Sequence, residues 1–258
     1  MTIGQRPGRP GRRAVLLSAG GVAAGAAAAS AGWALTTSPA AAPDPASSTS
    51  PAPPADLAVI PPDDDLMREH GVLKRVLLCY REMTARIQAG GPLDARDLHD
   101  AALVIHDYIE GFHEGLEEGY VFPRLVKAGQ LTSTVTTLLV QHARGRVITQ
   151  FLLGQATARG VTSPGTRVRI AAAMQAFDRM YEPHEAREDT VVFPAFRQVV
   201  PARELADLGQ HFADLEHQQF GTDEFAAMVA RVAGIEQNLG IYDLAQFTPQ
   251  VSQYTPPT

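Results

Sequence analysis

One phrase is written twice: HEGLEEGYVFP at residues 113–123 and HEAREDTVVFP at residues 184–194. The copies begin at His113 and His184, an offset of 71, and agree at His, Glu, Glu, Val, Phe and Pro. Each copy sets a Glu four residues after its His. In a helix that spacing stacks the two side chains on one face, one turn apart. His113 and Glu117 can therefore aim at one point, and His184 and Glu188 at another. Working outward, a lone His precedes each copy, His70 by 43 residues and His142 by 42. Each half of the repeat thus reads as a helical hairpin, with one His on its first helix and His-x-x-x-Glu on its second.

Two such hairpins packed together gather four imidazoles and at least two carboxylates in one core. Buried carboxylates are costly unless paired or bound to metal, and a pair of cations is the natural occupant. Imidazole and carboxylate ligation without sulfur suits iron or manganese and admits zinc. The two carboxylates would most simply bridge the pair. The candidate metal ligands are His70, His113, Glu117, His142, His184 and Glu188. Glu114 and Glu185 directly follow their histidines and read as orienting or solvated carboxylates that could also reach a metal. His99, His106, His211 and His217 read as non-ligands.

The flanking sequence is helical. The stretch from Asp63 opens with acids and closes on Gly90-Gly91, both helix signals. Leu66, Leu73, Val76, Leu77, Tyr80 and Met83 recur near a 3.6-residue period. Further helices are expected from about Pro92 to Phe122-Pro123, Thr132 to Ala158, and Gly165 to Val192, with an end near Phe193-Pro194. Pro201 starts another, and one more spans Glu224 to Asn238. No convincing alternating strand appears. The expected fold class is all-α: an up-down four-helix bundle over residues 63–200, extended by one or two C-terminal helices and an irregular tail over 201–258. Cys79 lies nine residues from His70, half a turn off its face, and reads as a packing residue. Tyr108, Phe112 and Tyr181 read as core aromatics near the ligands.

The lone His, His-x-x-x-Glu-Glu ending in Phe-Pro, second lone His, and second His-x-x-x-Glu ending in Phe-Pro together resemble the hemerythrin-like (HHE cation-binding) family over about residues 63–197. That resemblance implies a four-helix bundle holding a non-haem di-iron centre, with the six residues above at ligand positions. The oxygen-carrying hemerythrins place a second His one turn after the third-helix His, where this chain has Arg146. They also use an Asp five residues after the fourth-helix His; Asp189 stands there, a rival to Glu188. With Arg146 in place of that His, one imidazole is missing, so the resemblance implies either an open or water-filled position or another carboxylate in its place, and it fits the broader bacterial hemerythrin-like group better than simple oxygen carriage. A ferritin-like di-iron bundle is the nearest rival, but it requires Glu-x-x-His on two helices, and only Glu110 to His113 offers it here.

Composition narrows the partners. Formal net charge is −6, yet residues 1–42 hold four arginines and no acid, leaving 18 basic against 28 acidic residues, or −10, for the rest. An acidic body argues against nucleic acid. The single cysteine excludes an intramolecular disulfide and Cys-based zinc or iron–sulfur sites. Residues 1–42, with Arg12-Arg13 ahead of a mildly apolar Ala/Gly run, resemble a twin-arginine export signal. Residues 43–62 form a Pro/Ala/Ser-rich linker. The expectation is an exported protein that uses the twin-arginine machinery, with membrane anchoring if the signal is retained. The expected function is binding of a small ligand, dioxygen, nitric oxide or peroxide, or of iron itself. The alternatives are a di-iron enzyme that removes peroxide or nitric oxide, and an interaction domain with a vestigial metal site.

Overall fold

A computed structural model describes residues 59–221 and 224–251. The signal segment and linker residues 43–58 lie outside these, as do residues 252–258 of the tail. The described part falls in the unit Pro53–Thr258. It is all-helical, and no strand occurs among the described residues.

Helix α1 (Pro62–Gln88) has Pro at its first position, where a missing N–H costs nothing, and Asp63, Asp64 and Asp65 in its first turn. Pro62, assigned to the linker from sequence, thus belongs to the helix. The chain leaves α1 through Gly90 at φ 73°, a left-handed turn suited to glycine. Asp94 then caps α2 (residues 95–127) by accepting from the Arg96 N–H at 2.8 Å. Helix α3 is Thr132–Gln155, α4 a short Ala158–Thr162 that the sequence reading did not contain, and α5 spans residues 164–199. Helices α6 (Ala202–Phe220) and α7 (Glu224–Asn238) follow, then a single 3₁₀ turn at Leu244–Phe247.

Helix α2 was expected to end at Phe122-Pro123 and α5 at Phe193-Pro194. Both run on, to Lys127 and Val199. Proline removes one N–H and crowds the carbonyl four residues back. Here the helix widens instead of breaking. Glu117–Val121 and Glu188–Val192 are π-helical, with the Phe122 N–H donating to the Glu117 carbonyl and the Phe193 N–H to the Glu188 carbonyl. A longer π segment, Val104–His113, precedes the first of these. Such wide turns concentrate at functional sites, and two of the three among the described residues begin at the repeat glutamates, while the longest ends at His113.

Helix α1 packs against α2 and α5, and α3 against the same two. The six periodic residues of α1 all lie in the shared core. Helices α6 and α7 pack on α1 and α2. They bury Leu208, Phe212, Val232 and Ile235 in the same core and are tied down by Arg75 to Glu236 at 2.9 Å and Arg124 to Glu204 at 2.8 Å. They close the α1/α2 side of the molecule. No helix among the described residues is long and apolar enough to cross a membrane.

Candidate metal centre

The six residues singled out from the repeat converge. One ligand atom from each of His70, His113 and Glu117 lies within 4.8 Å of the others, and the same holds for His142, His184 and Glu188. All six are buried; Glu117, Glu188 and His142 have no exposed surface. The glutamates stand between the two groups. Glu188 Oε2 is 3.1 Å from His184 Nε2 and 3.5 Å from His70 Nε2. Glu117 lies 3.7 Å from His113 Nε2 and 3.5 Å from His142 Nε2. Each carboxylate therefore faces one imidazole from each half of the repeat.

The outer nitrogens fix the rings. His70 Nδ1 donates to Asp189 at 2.7 Å, His113 Nδ1 to Glu69 at 2.7 Å, His142 Nδ1 to Glu118 at 2.9 Å and His184 Nδ1 to Gln141 at 2.9 Å. An acceptor on Nδ1 selects the tautomer whose Nε2 lone pair points inward, as ligating histidines require. Phe193 stacks on His70 and Phe122 on His142, each with centroids 5.6 Å apart. The doubled Phe-Pro endings thus have a structural role: the Phe walls the lone His of the opposite half, and the Pro follows the wide turn that starts at the repeat glutamate.

Asp189, the rival ligand, sits on the outer nitrogen of His70 and not on the inner face. Glu114 and Glu185 also turn away. Glu114 accepts from the Tyr181 hydroxyl at 2.6 Å and pairs with Arg146 at 2.8 Å; Glu185 pairs with Lys74 at 2.6 Å. Glu114, Glu118 and His142 do make a third potential cation group, but the Arg146 guanidinium already bridges its two carboxylates. Arg146, standing where a further His was sought, supplies a fixed cation there. Gly145 makes room for this arrangement: a Cβ on it would lie 2.1 Å from the Tyr181 hydroxyl.

Electrostatics suit the core to a cation. Burial opposes charge on His70, yet the Asp189 and Glu188 carboxylates outweigh it and raise its pKa to about 9. The same negative field favours a metal at that Nε2. Burial and the His70 charge hold His113 well below the usual imidazole range. Burial and the nearby Glu188 push Glu117 far up, while Glu188, despite its burial, is held low by His184 and His70. Neither oxygen of Glu117 or Glu188 has a hydrogen-bond partner. Four orphaned buried oxygens are expensive in a protein interior. Two cations between them would satisfy all four, so the donor set fits a two-metal centre of imidazole and carboxylate ligands.

The remaining residues take lesser places. Burial pushes the Cys79 thiol up to about 12, the behaviour of a packing cysteine. His99 and His106 sit at the surface beside Asp100 and Asp107. His211 bonds to Tyr120 on the α6 interface at 2.8 Å. Tyr108 and Phe112 pack on Phe220 of α6, whereas Tyr181 lies against His184 with centroids 5.1 Å apart.

Sequence reasoning missed Glu69, Gln141 and Glu118. The signal was present: Glu69 and Gln141 each immediately precede a lone His, and Glu118 and Asp189 each follow a repeat Glu. Extending the repeat by one residue at those edges finds all four orienting partners.

No protein-family model and no solved structure matches the chain. A Mycobacterium tuberculosis protein described as uncharacterized protein Rv1995 and a Mycobacterium bovis protein described as uncharacterized protein Mb2018 are each similar to it. In both cases 50% of residues are identical over 194 positions, which span 75% of this chain and 76% of the relative. The chain belongs to the family of these mycobacterial proteins.

Proposed function

We propose that the chain is a hemerythrin-like protein, an up-down four-helix bundle of α1, α2, α3 and α5 whose core holds two non-haem metal ions, iron before manganese or zinc. One observation carries this reading above the others: Glu117 and Glu188 present four unpartnered, fully buried oxygens to four imidazoles already turned inward. When bound, the metals supply Lewis acidity and a redox couple. The chain's own residues supply the rest. Asp189, Glu69, Glu118 and Gln141 orient the rings, Phe122 and Phe193 exclude water, and Arg146 and Lys74 neutralise the flanking carboxylates.

On this reading the protein binds a small ligand: dioxygen, nitric oxide or peroxide. Turnover of peroxide or nitric oxide is the second reading, favoured by Tyr181, whose hydroxyl is held by Glu114 one ring from His184. Export through the twin-arginine machinery, which passes folded proteins, belongs to the same proposal, because it allows metal loading first. Membrane anchoring follows if the signal is kept, and nucleic acid is not a partner.

The test is elemental analysis of anaerobically purified protein, with absorption spectra before and after air. Two irons per chain and an oxygen-dependent near-ultraviolet band are expected. One metal or none would transfer the assignment to an interaction domain with a vestigial site.

A further inference from the structure

The two flanks of the centre differ in cover. His184 is buried like the other three histidines of the centre, its side chain no more exposed than those of His70 and His113. It contributes to the wall of a cleft of about 260 Å³ between α3 and α5, together with Thr134, Thr137, Leu138, Gln141, Pro183 and Arg187. The corresponding flank on the α1/α2 side lies under α6, where Phe220 packs on Phe112 with centroids 5.5 Å apart.

The cleft has the chemistry of an anion site. Its lining contains one cation, Arg187, and no acid, within a part of the chain whose formal charge is −10. Gln141 turns its amide oxygen to His184 Nδ1, which leaves the amide NH2 group to donate to an occupant. At the matching place beside His113 stands Glu69, fully buried on His113 Nδ1, which has no amide NH2 group to offer an occupant. A neutral amide and a guanidinium lining one cleft offer a small anion both hydrogen-bond donors and a positive charge. The volume is below that of sites for drug-sized ligands, so the occupant is small.

We propose that this cleft binds a small inorganic monoanion, of the size of azide or nitrite, between the Arg187 guanidinium and the Gln141 amide on the outer side of His184. Its purpose, presenting an anionic ligand to the His142–His184–Glu188 flank, rests on the metal-centre reading. The binding itself does not.

The test uses azide as probe and the full chain, stripped of metal by chelation and labelled with ¹⁵N. The side-chain amide signal of Gln141 is identified by its loss in Gln141→Glu and followed during azide titration. A saturable shift is expected, and Arg187→Gln is expected to weaken it about tenfold or more, the effect of losing one charge-assisted hydrogen bond. Arg187 is exposed, so its replacement leaves the fold intact, which circular dichroism checks. A Gln141 signal that does not move, or one that shifts equally in Arg187→Gln, overturns the proposal. Metal content measured before chelation separates the outcomes. A chain with no metal but an azide-responsive Gln141 refutes the metal-centre reading and leaves the anion site standing.

Discussion

The two halves of the molecule are built to one plan and finished differently. In each, the lone His lies on the first helix, and a basic residue follows it by four, Lys74 in one half and Arg146 in the other. Each first helix is read by the second helix of the opposite half. Asp189 and Phe193 hold His70, while Glu118 and Phe122 hold His142. Lys74 crosses to Glu185, and Arg146 to Glu114. Neither half has a complete site alone. What differs is the finish: Glu69 against Gln141, and a flank covered by α6 and α7 against one with an open cleft. A repeat that crosses itself accounts for the likeness of the two phrases, and the unequal finish leaves one flank under α6 and α7 and the other beside a cleft.

The largest expected effect comes from removing what both halves share. Replacing Glu117 and Glu188 together by Ala is expected to take the chain from two metals to none by elemental analysis, since each carboxylate faces both groups; full retention of both would refute the ligand set. Next, Glu69→Gln makes the first half resemble the second at its orienting residue. Loss of an orienting carboxylate typically lowers metal affinity roughly 10–100-fold, and competition against a chelator would show it. An unchanged affinity would mean that Glu69 serves the fold alone.

Smaller effects separate the two crossed ion pairs. Lys74→Ala strands Glu185, whose other oxygen has no partner, whereas Arg146→Ala leaves Glu114 its Tyr181 hydroxyl. Each change should cost ~1–3 kcal/mol in urea unfolding, with Lys74→Ala the more damaging. The reverse order would show that the shared Arg146 bridge matters more than the residual bond. Smallest, Tyr181→Phe should cost about 1 kcal/mol, the worth of one hydrogen bond. It should bring the Arg146→Ala background level with Lys74→Ala.

Much of this was legible in the sequence because it obeys a period. The helices, the α1 core residues and the six converging side chains all follow from 3.6-residue spacing and one internal offset. The parts that were not legible break that period. Pro123 and Pro194 read as helix ends, but π turns absorb them because both continuing segments are anchored by core residues, Leu125 and Phe196. Asp189 read as a rival ligand, since a regular helix does not tell which of two adjacent acids faces inward; the wide turn starting at Glu188 decides it. The pairing of each half with the other, and not with itself, is a tertiary fact that no local pattern encodes.

The most direct measurement is anomalous diffraction at the iron edge from crystals of the iron-loaded chain. The account predicts two peaks, one among His70, His113 and Glu117 and the other among His142, His184 and Glu188, with Glu117 and Glu188 between them. A single peak, or one displaced to Glu114 and Glu118 beside Arg146, would contradict a centre shared by the two halves.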